Sequence, residues 1–94
     1  MSVKLVVSGG FGAGWSTWNP EVDPADEGLV ALVERGAKQA QLEDYAYQKW
    51  PEAYLGGLDS VHVVEVAAGE LYRFREYDGS ESVEVFDANH WEVA

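Results

Sequence analysis

The sequence feature that most constrains the fold is a two-residue turn between two segments of alternating polarity. Asp78-Gly79 separates Leu71 to Tyr77 from Ser80 to Phe86, and both turn residues suit the left-handed backbone angles of a type I′ hairpin. A loop of this length fixes which residues of the two strands face each other. The predicted cross-strand pairs are Tyr77 with Ser80, Phe74 with Val83, Arg73 with Glu84, and Tyr72 with Val85.

Because side chains alternate across a strand, this register gives the hairpin two different faces. We expect the apolar face to enter the core, and its members are Tyr72, Phe74, Val83 and Val85. The opposite face carries Arg73, Arg75, Ser82 and Glu84. Two acids, Glu76 and Glu81, face each other beside the turn, where we expect water to screen their repulsion.

The rest of the chain predicts two more strands and two helices. Lys4 to Ser8 is a short β-branched strand closed by glycines, and Ser60 to Ala67 has the composition of a mostly buried strand. Asp23-Pro24 supplies an N-cap and a first-turn proline for a helix from about Ala25 to Ala40. Glu43 to Tyr54 predicts a short second helix, which Pro51 ends or kinks.

The order of these elements predicts a single α+β domain of 94 residues. We expect a mixed sheet of about four strands with the helices on one face. A right-handed crossover through the helix would make the first strand parallel to the strand at Ser60 to Ala67. The last three strands would then form an antiparallel meander.

Charge limits the partners of this chain. The formal net charge is -11, and residues 76–92 hold six carboxylates without a lysine or arginine. Such a field repels nucleic acids and anionic membranes and attracts basic surfaces. We therefore expect an exposed acidic face that binds a basic partner. Its residues are Glu76, Asp78, Glu81, Glu84 and Asp87.

No cysteine is present, which excludes disulfides and thiol chemistry and is typical of a cytosolic protein. Neither a signal-peptide pattern nor an apolar run long enough to span a bilayer occurs. We expect a cytoplasmic protein that binds no membrane, cofactor or metal. His62 and His90 stand alone, without the spacing of a metal site or a catalytic triad, so no catalytic residue is assigned.

Glycines and large rings crowd the segment that follows the first strand. The candidate binding residues are Gly10, Phe11, Gly12, Trp15, Ser16 and Trp18, together with Trp91. Rings in a loop often bind a partner, but they can equally cover a small core. A phosphate-binding loop is disfavoured, because Trp15 stands where the third glycine of GxGxxG would be and no P-loop lysine follows.

Two arginines form an alternative site. Arg73 and Arg75 lie on one face of the predicted hairpin and can together hold an anionic ligand. Ion pairing with Glu84 across the strands is the favoured role. Assembly of several subunits would bring such arginine pairs together, so a homo-oligomer is the setting in which an anion site would form.

Two stretches of the chain carry a resemblance to a known family. They read KLVVSGGFGAGWS and EYDGSESVEVFDANHW. Together they resemble a widespread set of small bacteriophage and prophage proteins. Members open with a strand that enters a glycine-phenylalanine-glycine loop ending at a serine, and they close on an EYDG turn followed by spaced acids, a histidine and a tryptophan. The resemblance implies a phage origin more than an activity.

Three functions compete. The first is a non-enzymatic phage inhibitor that binds a host protein stoichiometrically, such as a nucleic-acid-binding defence enzyme, through an acidic face that mimics nucleic acid. The second is an oligomeric small-ligand binder that sequesters a nucleotide signal with the glycine-rich segment and the arginine pair. A hydrolase ranks last, because carboxylates such as Glu81 and Glu84 point to opposite faces of a strand.

Overall fold

The computed structural model describes residues 2–67 and 69–86, and both helices and strands occur among them. The α+β fold class is therefore confirmed. The elements in chain order are β1 (Ser2–Ser8), α1 (Glu27–Glu34), α2 (Gln39–Lys49), a 3-10 helix (Gly56–Ser60), β2 (Val61–Ala67), β3 (Leu71–Tyr77) and β4 (Ser80–Phe86).

The first sheet consists of β1 and β2, which pair antiparallel from Ser2 opposite Ala67 to Ser8 opposite Val61. The prediction that these strands are parallel is wrong. The backbone N–H of Gly9 donates to the carbonyl of Ser60 at 2.9 Å, so β2 starts beside the end of β1 and runs back along it. After β1 the chain passes through two helices and returns to the same end of β1. A parallel pair would need a crossover to the opposite end of that strand.

The second sheet is the hairpin of β3 and β4, and its predicted register is confirmed at every pair named above. Asp78 and Gly79 have φ angles of 49° and 87°, as a type I′ turn requires. The predicted three-stranded meander within a single sheet is wrong, because β2 pairs with β1 while β3 pairs with β4. The hairpin instead meets the first sheet where β4 approaches β1.

The helices begin and end at other residues than predicted. The N-cap of α1 is Asp26 and not Asp23. Gly36 has a φ of 74°, a left-handed conformation that ends α1 and divides the predicted helix of residues 25–40 into two. The second helix ends two residues before Pro51. None of the helices in the described part of the chain has the length and apolar character needed to cross a membrane.

The core lies between the first sheet and the helices. Its buried apolar members are Val6, Trp15, Val22, Leu29, Val30, Leu42, Ala46 and Leu58. The prediction that the apolar hairpin face enters the core is wrong for Tyr72 and Val85, which are 39% and 44% exposed. Phe74 and Val83 on the same face are half-buried. Because this sheet has only two strands, only part of its apolar face packs against the rest of the protein.

One buried carboxylate joins the two helices. Asp26 is 7% exposed and accepts hydrogen bonds from Leu29 N at 3.0 Å, Tyr45 Oη at 2.7 Å and Lys49 Nζ. Burial by itself would raise the pKa of this carboxyl, but the three hydrogen bonds, that of Lys49 foremost, outweigh burial and lower the pKa. Gly28 makes room for the contact, because a Cβ there would lie 2.1 Å from the Tyr45 hydroxyl oxygen.

Candidate functional site

The segment of residues 9–18 after β1, here called the glycine loop, is held in place by a buried carboxylate. Glu81 of β4 is only 3% exposed. Its Oε1 accepts a hydrogen bond from Ser8 N at 2.8 Å. Its Oε2 accepts from Trp15 N at 2.8 Å, Thr17 N at 2.9 Å and Thr17 Oγ1 at 2.5 Å. These donors replace the water that the carboxylate loses on burial.

The prediction that Glu81 is exposed on an acidic face is therefore wrong. The hairpin register places Glu81 on the same face of β4 as Val83 and Val85. Next to the turn, this face meets the glycine loop, whose N–H groups have no partners in a helix or sheet ladder. Because buried N–H groups need acceptors, the carboxylate is drawn inward instead of remaining in water.

The hairpin turn packs directly on the backbone of the glycine loop. The N–H of Gly12 donates to the carbonyl of Asp78 at 2.5 Å. A Cβ at Gly79 would lie 2.3 Å from the backbone nitrogen of Ala13, so a larger residue cannot take its place without moving the loop. The left-handed φ of 87° adds a second reason for glycine at this position. The loop and the turn therefore form a single structural unit.

This unit argues against phosphate binding by the glycine loop. A phosphate cradle presents free backbone N–H groups to the ligand. Here the N–H groups of Ser8, Trp15 and Thr17 already donate to Glu81. A phosphate would have to displace that carboxylate, and it would approach a protein whose formal charge is -11.

The predicted loop residues divide into buried and exposed members. Trp15 is fully buried and belongs to the core, so its ring is not offered to a partner. Gly10 and Ser16 are half-buried. Phe11 and Trp18 are 73% and 41% exposed. Of the rings predicted for this loop, these last two are the ones that a binding partner can reach.

Four exposed rings lie in two pairs on or against the glycine loop and the turn, and we call the two pairs together the ring patch: Phe11, Trp18, Tyr54 and Tyr77. Trp18 and Tyr54 stack with 6.0 Å between ring centroids and 28° between ring planes. Phe11 and Tyr77 meet edge to face at 6.4 Å. Large rings held by such contacts and left exposed are typical of interaction surfaces.

The Trp18 and Tyr54 rings lie close against bare backbone. A Cβ at Gly14 would be 2.7 Å from Cδ1 of Trp18, and a Cβ at Gly56 would be 2.6 Å from Cε2 of Tyr54. The side chain of Asn19 also ties the two segments together, since Tyr54 N donates to its Oδ1 at 2.8 Å and its Nδ2 donates to the Tyr54 carbonyl at 3.0 Å. The stack is therefore positioned from both sides.

Negative charge borders the ring patch. Oε2 of Glu76 accepts hydrogen bonds from Gly79 N at 2.7 Å and from Trp18 Nε1 at 3.1 Å. These bonds, that of Gly79 first, lower the pKa of Glu76 below its ordinary value, so they favour the carboxylate form. Asp78 is exposed in the turn, directly after Tyr77. Two carboxylates of the predicted acidic face thus stand beside the exposed rings.

Comparison of the chain with family models, curated proteins and solved structures finds no match. The ring patch and its carboxylates are therefore the basis for assigning a function. Neither Tyr54 nor Tyr77 is among the binding residues predicted from the sequence. Gly56-Gly57, which lets the backbone come close to a ring, was the available signal for Tyr54, and no comparable signal marked Tyr77.

The predicted arginine pair is bound to Glu84. Arg75 Nη1 donates to Oε2 of Glu84 at 2.9 Å, and Arg73 Nη2 donates to the same oxygen at 3.4 Å. The hydrogen bond from Arg75 is the main reason that the pKa of Glu84 is lowered. The favoured prediction of cross-strand ion pairing is confirmed, and the charge of Glu84 is compensated on the hairpin surface.

The remaining acids are distributed widely. Most carboxylates in the described ranges are exposed, from Glu21 before α1 to Asp78 in the turn, so negative charge is not confined to the hairpin. Asp87 and Trp91, which were also predicted as binding residues, lie outside the described residues. Within residues 2–67 and 69–86, no group of three histidine, aspartate or glutamate side chains is arranged to hold a metal ion.

Proposed function

We propose that this protein is a non-enzymatic binding protein that engages a basic protein surface through the ring patch and the carboxylates beside it. The observation that carries the proposal is that two pairs of exposed, mutually packed rings lie at the glycine loop and the turn, next to Glu76 and Asp78, in a chain of net charge -11. Rings supply the desolvated anchors of an interface, and charges attract and orient the partner. Side chains already fixed before binding lose little freedom when they bind.

The partner that this surface suits is a host protein with a basic groove for nucleic acid. The widespread exposed carboxylates support this, because they can take the place of phosphates in such a groove. The resemblance to phage proteins supports a host target, for example a defence enzyme that is inhibited by one-to-one binding in the host cytoplasm. Nucleic acid itself is not the ligand, since like charges repel.

A small-ligand binder that sequesters a nucleotide receives less support. It depended on the N–H groups of the glycine loop and on the pair Arg73 and Arg75. The loop N–H groups donate to Glu81, and both arginines donate to Glu84. A phosphate would have to compete with a carboxylate of the same chain at either place.

The test is displacement of DNA from basic proteins. A fluorescein-labelled duplex is bound to each of a panel of purified bacterial nucleases and DNA-binding proteins, and its anisotropy is followed as this protein is added at about 50 and about 300 mM salt. We expect the anisotropy to fall for at least one nuclease, with a one-to-one end point and a weaker effect at the higher salt. If DNA is displaced from none of the panel members at low salt, the proposal is contradicted.

A matched pair of variants locates the surface. Glu76→Gln with Asp78→Asn removes two charges beside the rings, and Glu65→Gln with Glu70→Gln removes the same charge elsewhere. We expect the first double variant to weaken displacement about tenfold and the second about twofold, because close charge pairs matter more than distant ones. Equal effects would show that the ring patch is not the site of contact.

A further inference from the structure

The most specific chemistry of the ring patch lies where the Trp18 and Tyr54 stack meets Glu76. Trp18 Nε1 donates to the carboxylate at 3.1 Å, while 41% of Trp18 and 57% of Tyr54 remain exposed. An electron-rich ring surface and a full negative charge are thus held side by side. Resting on the proposed function, we propose that this place binds an arginine side chain of the partner.

Arginine fits this site for reasons of shape and hydration. Its guanidinium is planar, weakly hydrated and able to stack on aromatic rings, and tryptophan is the ring that attracts cations best. It also donates in a fork to a carboxylate. Within the described residues, both hydrogen bonds to Glu76 end on Oε2, so Oε1 is the oxygen that an incoming guanidinium meets.

Lysine fits the site less well. Its ammonium is compact and strongly hydrated, and it has no plane to stack on the rings of Trp18 and Tyr54. The rings are also set in place before binding: Gly14 and Gly56 allow them to approach the backbone, and Glu76 holds the indole edge. A preformed flat surface of this kind favours a flat cation over a point charge.

Isothermal titration calorimetry on the full chain tests the site with two short peptides of equal length and charge. One peptide alternates arginine with glycine, and the other alternates lysine with glycine. We expect the arginine peptide to bind about three- to tenfold more tightly, as stacking at a partly exposed ring allows. Trp18→Ala should abolish this preference. Tyr47→Ala, which removes a 62% exposed tyrosine from α2, should keep it.

A second variant, Glu76→Gln, tests the site if Trp18→Ala does not fold. Trp18→Ala is used only if its circular dichroism spectrum and melting temperature match the wild type, and Glu76→Gln carries the test otherwise. Because glutamine has nearly the same shape as glutamate, it should keep the Trp18 contact while removing the charge. We expect it to weaken arginine binding about tenfold, whereas Glu70→Gln on the connection before β3 should weaken it about twofold or less.

Each outcome decides the proposal. A preference for arginine that disappears in Trp18→Ala and persists in Tyr47→Ala supports the site. Equal binding of the two peptides, or a preference that survives in Trp18→Ala, overturns the site; the proposed function still stands if DNA displacement is observed. If neither peptide binds at low salt, the site is again overturned, and the proposed function falls with it only when DNA displacement also fails.

Discussion

Two buried carboxylates hold the molecule together, and their surroundings differ in kind. Asp26 joins the helices: its Oδ2 accepts from Leu29 N and the Tyr45 hydroxyl, and its Oδ1 faces Lys49. Glu81 joins the hairpin to the glycine loop, and both of its oxygens accept from backbone N–H groups. Lys49 is 49% exposed and can turn into water, whereas a backbone N–H cannot turn away.

Because of this difference, the two buried acids do not tolerate replacement by an amide equally well. An amide has one acceptor oxygen and one donor nitrogen. At residue 26 the amide nitrogen can occupy the position of Oδ1, which faces Lys49, and the Lys49 ammonium then moves into solvent. At residue 81 the nitrogen must face a backbone N–H whichever way the amide is turned, so donor meets donor. The geometry therefore requires a carboxylate at Glu81 and only favours one at Asp26.

Glu81→Gln should destabilise the protein strongly. We expect the free energy of unfolding to fall by about 3 kcal/mol or more, because one set of buried N–H groups loses its acceptor and meets a donor. Urea denaturation measures the change. Glu84→Gln on the same strand is the control, and loss of its solvent-screened ion pair should cost much less than loss of the buried carboxylate. Similar losses in the two variants would mean that the N–H groups around Glu81 do not require a carboxylate.

The next largest loss of stability is expected at a glycine of the hairpin turn, in contrast to a glycine of α1. Gly79→Ala should destabilise by about 2 kcal/mol or more, since its φ is left-handed and its Cβ would meet the backbone of Ala13. Gly28→Ala in α1 would meet the hydroxyl oxygen and the adjacent ring carbons of Tyr45, a side chain and not backbone, so we expect the ring to shift, and alanine favours the helix by about 1 kcal/mol. We expect its net change to stay within about 1 kcal/mol.

Thermal and urea unfolding of both alanine variants check this contrast. A Gly28→Ala protein as unstable as Gly79→Ala would mean that Tyr45 cannot move, and that the Asp26 cluster is as rigid as the junction of loop and turn. A stable Gly79→Ala protein would mean that the turn does not need its close approach to Ala13.

Asp26→Asn should have a smaller effect, a loss of about 1 kcal/mol, because asparagine remains a good N-cap and a half-exposed cation contributes little. Urea denaturation at neutral pH measures it. Asp23→Asn is the matched control, since the Asp23 carboxylate accepts only at an exposed turn, from Ala25 N at 2.9 Å. If Asp26→Asn cost as much as Glu81→Gln, the distinction between a mobile cation and fixed amides would be lost.

Local patterns account for what could be predicted of the fold. The hairpin register follows from alternation and from Asp78-Gly79, which act within a few residues, and every predicted pair is confirmed. The direction of β2 could not be predicted, because it depends on where the second helix returns the chain. The N-cap was misplaced by three residues, since Asp23 and Asp26 are equally good caps in sequence and only the packing of Tyr45 and Lys49 separates them.

The site was harder to predict because its contacts join distant parts of the chain. Glu81 is 66 residues from Trp15 and 73 from Ser8, and no short-range pattern connects them. One signal was present: the alternation of β4 places Glu81 on the apolar face beside Val83, where an acid needs a special partner. Similarly, Trp15 and Trp18 look alike in sequence, and only the structure separates the buried ring from the exposed one.

The smallest effect is a difference in pH dependence that isolates Asp26. Its pKa is lowered in the folded protein, so the unfolded chain takes up the proton first as the pH falls. The stability that this gives is complete above the ordinary aspartate pKa of about 4 and is lost as the pH falls through the lowered folded value.

Urea unfolding at about pH 6 and about pH 3 should therefore show a smaller acid-induced loss in Asp26→Asn than in the wild type. Glu76 and Glu84, whose pKa values are also lowered, are present in both proteins and cancel in the difference. Equal losses would mean that Lys49 and Tyr45 do not favour the ionised form of Asp26. Asp26 would then contribute as a hydrogen-bond acceptor and not through its charge, and the contrast with Glu81 would widen.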